Sequence, residues 1–280
     1  MPTCFSERFA RASAIYGPLV LGADPSGAVL TSWGLGDDVD GLERFVDRVL
    51  EVAPGAVGVV KPQSAFYERH GWRGVRALER LVAGARGAGL LVVLDAKRGD
   101  VGSTNAAYAD AYLGTGAPLE SDALTVHPYL GLAAMGDLVE RAHAAGSCLF
   151  VVTRSSNLEG RALQTAVDAS GASVEASLLA EIGRLNTRLA PGALGPVGAV
   201  VGPSVQAPLL DLVGAHALYL VPGVGAQGGS PADVARVFAA CPERVLVSAS
   251  RSLLAAGPDP HRLRDAAMAL ADELRGALGL

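Results

Sequence analysis

The stretch LDAKRGDVGST, residues 94–104, places Lys97 two residues after Asp95 and three before Asp100, directly behind an apolar run. Residues two apart on a strand share a face, so Asp95 and Lys97 are expected to point the same way. Asp100 falls where the next helix should begin; there it either joins the pair or simply caps the helix and its dipole. Carboxylates beside an ammonium favour its charged form. A Schiff-base lysine has the opposite need, because it must be neutral to attack a carbonyl. Lys97 therefore reads as a proton donor. Residue usage adds weight: of 23 basic residues only Lys61 and Lys97 are lysine, and the rest are arginine. A lysine in such a chain suggests a task that arginine cannot perform, such as giving up a proton. Chance survival is the plain alternative.

A second chemical signal is PGVGAQGG, where Gly223, Gly225 and Gly228 have GxGxxG spacing. A dinucleotide site would also want an acidic residue at the end of the next strand, and VSASRS offers none. The other readings are a structural turn and the phosphate cradle that barrels build from the loops after strands seven and eight. In the cradle, amides around Gly225, the Gln227 amide and the Arg251 guanidinium would grip one phosphate monoester. His70, His143, His216 and His261 have no neighbours at metal-ligand spacing, and His127 at a strand end suits packing as well as a pocket wall. No metal is expected.

These side chains need elements to hold them. Eight short apolar runs recur: PLVLGAD, AVGVVKP, LLVVLDAK, ALTVHP, CLFVVTR, PVGAVVG, ALYLVPG and RVLVSASR. Their unbroken hydrophobicity fits parallel strands covered by helices. Helical stretches lie between them, among them 37–53, 71–89 and 173–190. Eight β/α units predict a single (β/α)8 TIM barrel spanning 1–280, with a doubly wound open sheet as the other possibility. Catalytic groups of a barrel sit at the C-terminal ends of its strands. Those ends carry Asp24, Lys61, Asp95 with Lys97, His127, Thr153 to Ser156, Gln227 and Arg251, so both lysines are included. The longest connection, about 155–172, is expected to be a mobile flap.

Composition narrows the class. Half the residues are hydrophobic and 18% charged, enough for a large core. A net charge of -5 argues against a nucleic-acid surface. Cys4, Cys148 and Cys241 form no zinc or disulfide pattern, no run reaches a membrane span, and the N-terminus is charged where a signal peptide is apolar. A cytoplasmic enzyme with no membrane partner is the expectation.

Together these segments resemble orotidine 5'-phosphate decarboxylase, in the longer bacterial branch often called type 2. DAKRGDVGST is similar to that family's DxKxxD segment, VVKPQSAFYERHG to its lysine-bearing second strand, and LTVHPYLG to its fourth. VPGVGAQGG and SASRS match its phosphate loops, and the resemblance runs from about residue 18 to 255. Two departures stand out: His127 replaces a common asparagine, and TRSSNLEG matches the pyrimidine-facing loop poorly, leaving Ser155 or Ser156, with Ser156 preferred.

The resemblance implies conversion of orotidine 5'-phosphate to UMP and carbon dioxide in pyrimidine synthesis without metal or cofactor. It gives Lys97 the role of protonating C6, places Asp95 near the departing carboxylate, and assigns Asp24 and Lys61 to the ribose hydroxyls. Gln227 and Arg251 would bind phosphate. Asp100 and Thr104 would reach the neighbouring subunit's site in a homodimer. Sugar-phosphate decarboxylases or aldolases sharing DxKxxD, and an idle phosphate-binding barrel, are the competing classes.

Overall fold

The computed structural model describes residues 2–203, 210–225 and 228–280. Eight strands form a closed parallel barrel in chain order: β1 (Leu19–Ala23), β2 (Val59–Pro62), β3 (Leu91–Arg98), β4 (Ala123–Val126), β5 (Cys148–Arg154), β6 (Val197–Val201), β7 (Tyr219–Val221) and β8 (Val245–Ala249). β8 returns to pair with β1, so the open sheet is ruled out.

The two faces of each strand meet different partners. Leu19, Leu21, Val92, Leu94, Val245 and Val247 pack outward in one core with helix residues such as Phe45, Leu78 and Leu81. Their neighbours Val20, Val59, Leu91, Val93, Phe150, Leu220 and Leu246 form a second cluster that fills the barrel. Burial on both faces is why these strands lack polar alternation. The helix Phe5–Tyr16 closes the N-terminal end: Phe5 and Phe9 join the inner cluster, and the Phe5 ring meets Phe150 edge-on at 6.0 Å.

Covering helices start where the sequence supplies caps. The Asp38 carboxylate accepts from Gly41 N before Val39–Val52, and Ser173 Oγ accepts from Ala176 N before Val174–Leu189. Ser230 and Asp233 bond reciprocally around Pro231 in a capping box.

The 155–172 connection, expected to be a mobile flap, contains short helical turns. It carries a 3-10 turn at Leu158–Gly160 and a helical turn at Arg161–Gln164, then folds back through a bridge between Val167 and Ser173. Its ends are joined by a buried ion pair, Arg154 Nη1 to Glu175 Oε2 at 2.8 Å. Asp168 organises the return by accepting from Ser170 and Ser177. Small and polar residues here make local turns.

Candidate active site

Above the inner apolar cluster, strand alternation brings up a different layer. Val59 is followed two residues on by Lys61, Val93 by Asp95, Ala123 by Thr125 and Leu246 by Ser248, all at the C-terminal ends of their strands. These four line a cavity of about 500 Å³, which Asp24, Gln63, Lys97, Ser155, Ser156 and Arg251 also border.

Asp95 is the centre. Its Oδ2 accepts from Lys61 Nζ at 2.9 Å, and its Oδ1 accepts from Lys97 Nζ at 2.5 Å and Thr125 Oγ1 at 2.8 Å. With its amide nitrogen facing Asp95, Gln63 donates to Oδ2 at 3.0 Å. Burial would raise the Asp95 pKa, but Lys61 and Lys97 overcome it by charge and hydrogen bond and hold it far below the usual carboxylate range. Burial pulls the Lys61 ammonium down, yet the Asp95 and Asp24 carboxylates outweigh this and keep its pKa above the ordinary lysine value. Both groups are ionised at neutral pH.

Lys97 reaches Asp95 by an irregular route. Leu94 pairs with Leu124 and Arg98 with Val126, so β3 spends four residues where β4 spends two. The bulge gives Lys97 a φ of 46°, in the left-handed region. Bulges of this kind re-aim side chains beside active sites. The side chain of Lys97 stays 47% exposed while that of Lys61 is 7% exposed, so Lys97 is the more accessible of the two ammoniums.

The expected ammonium between two carboxylates becomes, within one chain, a carboxylate between two ammoniums. Among the described residues Asp100 has no ion pair with Lys97. Its Oδ1 accepts from Val101 N at 2.7 Å, its N–H donates to Asn105 Oδ1, and its carbonyl accepts from Asn105 Nδ2. Nor does it cap: the helix Gly102–Tyr112 has Val101 at its N-cap. Thr104 is exposed on that helix, and neither Asp100 nor Thr104 lines this chain's cavity.

Two buried polar atoms at the cavity, Asp24 Oδ1 and Ser250 Oγ, have no hydrogen-bond partner among the described residues. Such orphans are expected where a polar ligand binds. The β5 end presents Ser155, Ser156 and Asn157; Ser155 is bonded through both Oγ and N to the Gln164 amide, at 2.8 and 3.2 Å. Arg251, two residues beyond β8, also lines the cavity, as do Gly223 and Val224. Gly225 does not: its N–H donates to Gly229 O at 2.8 Å. Its φ is 79° and a Cβ would meet Ser252 Oγ at 2.9 Å, so it shapes the turn. Gln227 lies outside the described residues. Thr153, fully buried, and His127 do not line the cavity.

Thr125 and Gln63 were missed by reading strand ends. Thr125 sits inside a run that reads as apolar, but two-residue alternation from Ala123 places it in the layer of Asp95. Among the described residues no three His, Cys, Asp or Glu side chains gather as a metal site, and no helix is long and apolar enough to cross a membrane.

Known proteins resemble this chain over nearly its whole length. Residues 18–266 match the Orotidine 5'-phosphate decarboxylase / HUMPS family. An orotidine 5'-phosphate decarboxylase of Streptomyces coelicolor is 49% identical over 278 residues, covering 98% of each chain. One from Salinispora arenicola is 48% identical over 274 residues, again covering 98% of both. A crystal structure from Streptomyces avermitilis, of a protein assigned to the same activity, superposes with a TM-score of 0.95 at 48% identity, over 99% of this chain and 97% of that one. The chain belongs to the orotidine 5'-phosphate decarboxylase / HUMPS family.

Proposed function

We propose that this barrel decarboxylates orotidine 5'-phosphate to UMP and carbon dioxide. The observation that carries the reading is Lys97 Nζ, half exposed at the cavity and held 2.5 Å from Asp95 Oδ1. In the reaction the bond from C6 to the carboxylate breaks, its electron pair stays on C6, and carbon dioxide leaves. Lys97 stabilises that charge, donates an Nζ proton to C6, and regains one from water. Asp95, kept ionised by Lys61, orients the ammonium beside the departing carboxylate. Asp24 and Lys61 hold the ribose hydroxyls, which would give the orphaned Asp24 Oδ1 a partner. Arg251, with Gln227, takes the phosphate, whose remote binding energy favours the transition state. Ser156, on the cavity wall at the end of β5, reads the pyrimidine.

The test is direct. Purified protein mixed with orotidine 5'-phosphate should shift the ultraviolet spectrum to that of UMP, and a chelator should not slow it. No turnover, or turnover lost with chelator, would favour the metal-dependent sugar-phosphate reading.

The active unit in this proposal is a homodimer with shared sites. Asp100 and Thr104 lie off their own cavity, and the apolar side chains of Val101, Tyr129 and Leu130 are exposed. Two-fold symmetry then makes each Lys97→Ala/Asp100→Ala hybrid carry one doubly defective site and one intact site. Random exchange makes about half the dimers hybrid, so roughly a quarter of wild-type activity should reappear on mixing two dead homodimers. No recovery after exchange verified by mass spectrometry would return Asp100 to a local role.

A further inference from the structure

We infer that Thr125 is a positioning residue for the proton donor, a role that rests on the decarboxylase reading and assigns it a part not given by the sequence motif. Its side chain is buried on β4, 1% exposed, facing the bulge of β3. Its hydroxyl works in both directions: Oγ1 donates to Asp95 Oδ1 at 2.8 Å and accepts from the Lys97 backbone N–H at 3.0 Å. A threonine hydroxyl has one hydrogen to give and lone pairs to accept, so both bonds are within its capacity.

The second bond matters because of where Lys97 sits. Inside the bulge its N–H does not continue the pairing with β4, and its φ of 46° is one that a non-glycine residue keeps only where its surroundings hold it. Thr125 supplies that hold. Lys97 Nζ reaches the same Asp95 oxygen at 2.5 Å. Lys97 N, Thr125 Oγ1, Asp95 Oδ1 and Lys97 Nζ thus close a ring that ties the lysine's backbone to the position of its own ammonium. When substrate draws the ammonium toward C6, the backbone anchor sets the arc on which Nζ moves. A donor displaced by about 1 Å can lose on the order of 100-fold in rate.

The test compares Thr125→Val, which keeps the shape and loses both bonds, with Thr125→Ser, which keeps the hydroxyl. Thr125→Val should lower kcat roughly 10- to 100-fold while KM and UMP affinity stay within about threefold. Thr125→Ser should stay within about threefold of wild type in kcat. Thr125→Ala, which cannot clash, repeats the Val result if Val impairs folding. A readout independent of turnover comes from the scarcity of lysine. With 15N-lysine labelling the chain shows two lysine amide signals, Lys61 and Lys97. The Lys97 amide should resist hydrogen exchange in wild type and Thr125→Ser, and lose protection in Thr125→Val, with Lys61 unchanged. Wild-type turnover of orotidine 5'-phosphate, measured first, tests the decarboxylase reading by itself. The inference is overturned if Thr125→Val retains kcat within threefold, if Thr125→Ser falls as far as Thr125→Val, or if the wild-type Lys97 amide exchanges like an exposed loop.

Discussion

Asp95 and Asp122 stand at opposite ends of the barrel, and each lies between two cations. At the C-terminal end Asp95 is met by Lys61 and Lys97. At the N-terminal end Asp122 is met by Arg8 and, at 3.7 Å, by Arg86. Openness does not distinguish them, since a cleft lined by Arg8, Arg86 and Asp122 borders the lower trio as well. The other donors do. Asp122 Oδ2 accepts from Val92 N at 2.8 Å, its own N–H donates to Val92 O, and its carbonyl accepts from Cys148 N, so it is woven into the strand starts. Arg8 also donates to Gly146 O, which fastens the plugging helix Phe5–Tyr16 to the barrel floor. Asp95 gathers ammonium, hydroxyl and amide donors that face a ligand cavity. A guanidinium stays protonated at any working pH and offers a fixed fork, while an ammonium can release a proton. The same charge pattern is thus built for holding at one end and for transfer at the other.

The sharpest way to break that contrast is to put arginine at the upper site. Lys97→Arg keeps the charge beside Asp95 but removes the transferable proton, so it should be as inactive as Lys97→Ala. Both should lose at least about 10²–10⁴-fold in kcat, more where carbanion stabilisation also fails, with folding and UMP binding retained. A Lys97→Arg variant with half of wild-type kcat would show that charge alone suffices and sink the proton-donor role.

Arg251 tests whether an arginine on the cavity wall holds rather than transfers. Arg251→Ala should raise KM about 100-fold by removing charge-assisted bonds to phosphate, with a smaller effect on the unphosphorylated nucleoside. Equal loss on both substrates would mean that Arg251 does not touch the phosphate.

At the lower site the same logic moves the effect from rate to stability. Asp122→Ala strips Arg8 of its carboxylate partner and leaves the Val92 N–H unsatisfied. It should cost about 3 kcal/mol, less than for a fully buried pair because the Arg8 side chain is partly exposed. Thermal melting would report the loss, and kcat of the remaining folded enzyme should be unchanged. A variant with normal melting and a low kcat would erase the distinction between the two ends.

The upper end was far more legible in the sequence than the lower. Continuous apolar runs give away parallel strands, and barrel logic then marks the polar residue ending each run, which yields Asp24, Lys61, Asp95 and Lys97. Asp122 was invisible by that logic. It precedes its strand in SDAL, where an aspartate looks like a turn residue, and its partner Arg8 is 114 positions away. Asp100 shows the limit of nearness in sequence: within its own chain the bulge at Lys97 and the bonds to Asn105 turn it away from the Asp95–Lys97 pair. The ion pair that joins the ends of the 155–172 connection was equally hidden, because Arg154 finds Glu175 across 21 positions. Period and position are local properties of a chain; closing contacts between distant segments are not.

The smallest effect is the mirror image of the largest, arginine replaced by lysine at the barrel floor. Arg8 uses two nitrogens, Nη1 to Asp122 and Nη2 to Gly146 O at 3.1 Å. A lysine there would keep the charge and Asp122, but one ammonium on a shorter reach cannot also serve the Gly146 carbonyl. Losing one hydrogen bond while keeping the ion pair should cost about 1 kcal/mol, or roughly 2 °C in melting temperature for a chain of this size. Because the lower trio transfers nothing, kcat and KM of Arg8→Lys should match wild type. The two exchanges then form a matched pair, in which Lys97→Arg abolishes turnover at nearly constant stability and Arg8→Lys trims stability at constant turnover. If Arg8→Lys lowered kcat severalfold at a temperature where the protein remains folded, the plugging helix would be coupled to the site above it. The floor could then no longer be treated as a purely structural counterpart of the Asp95 centre.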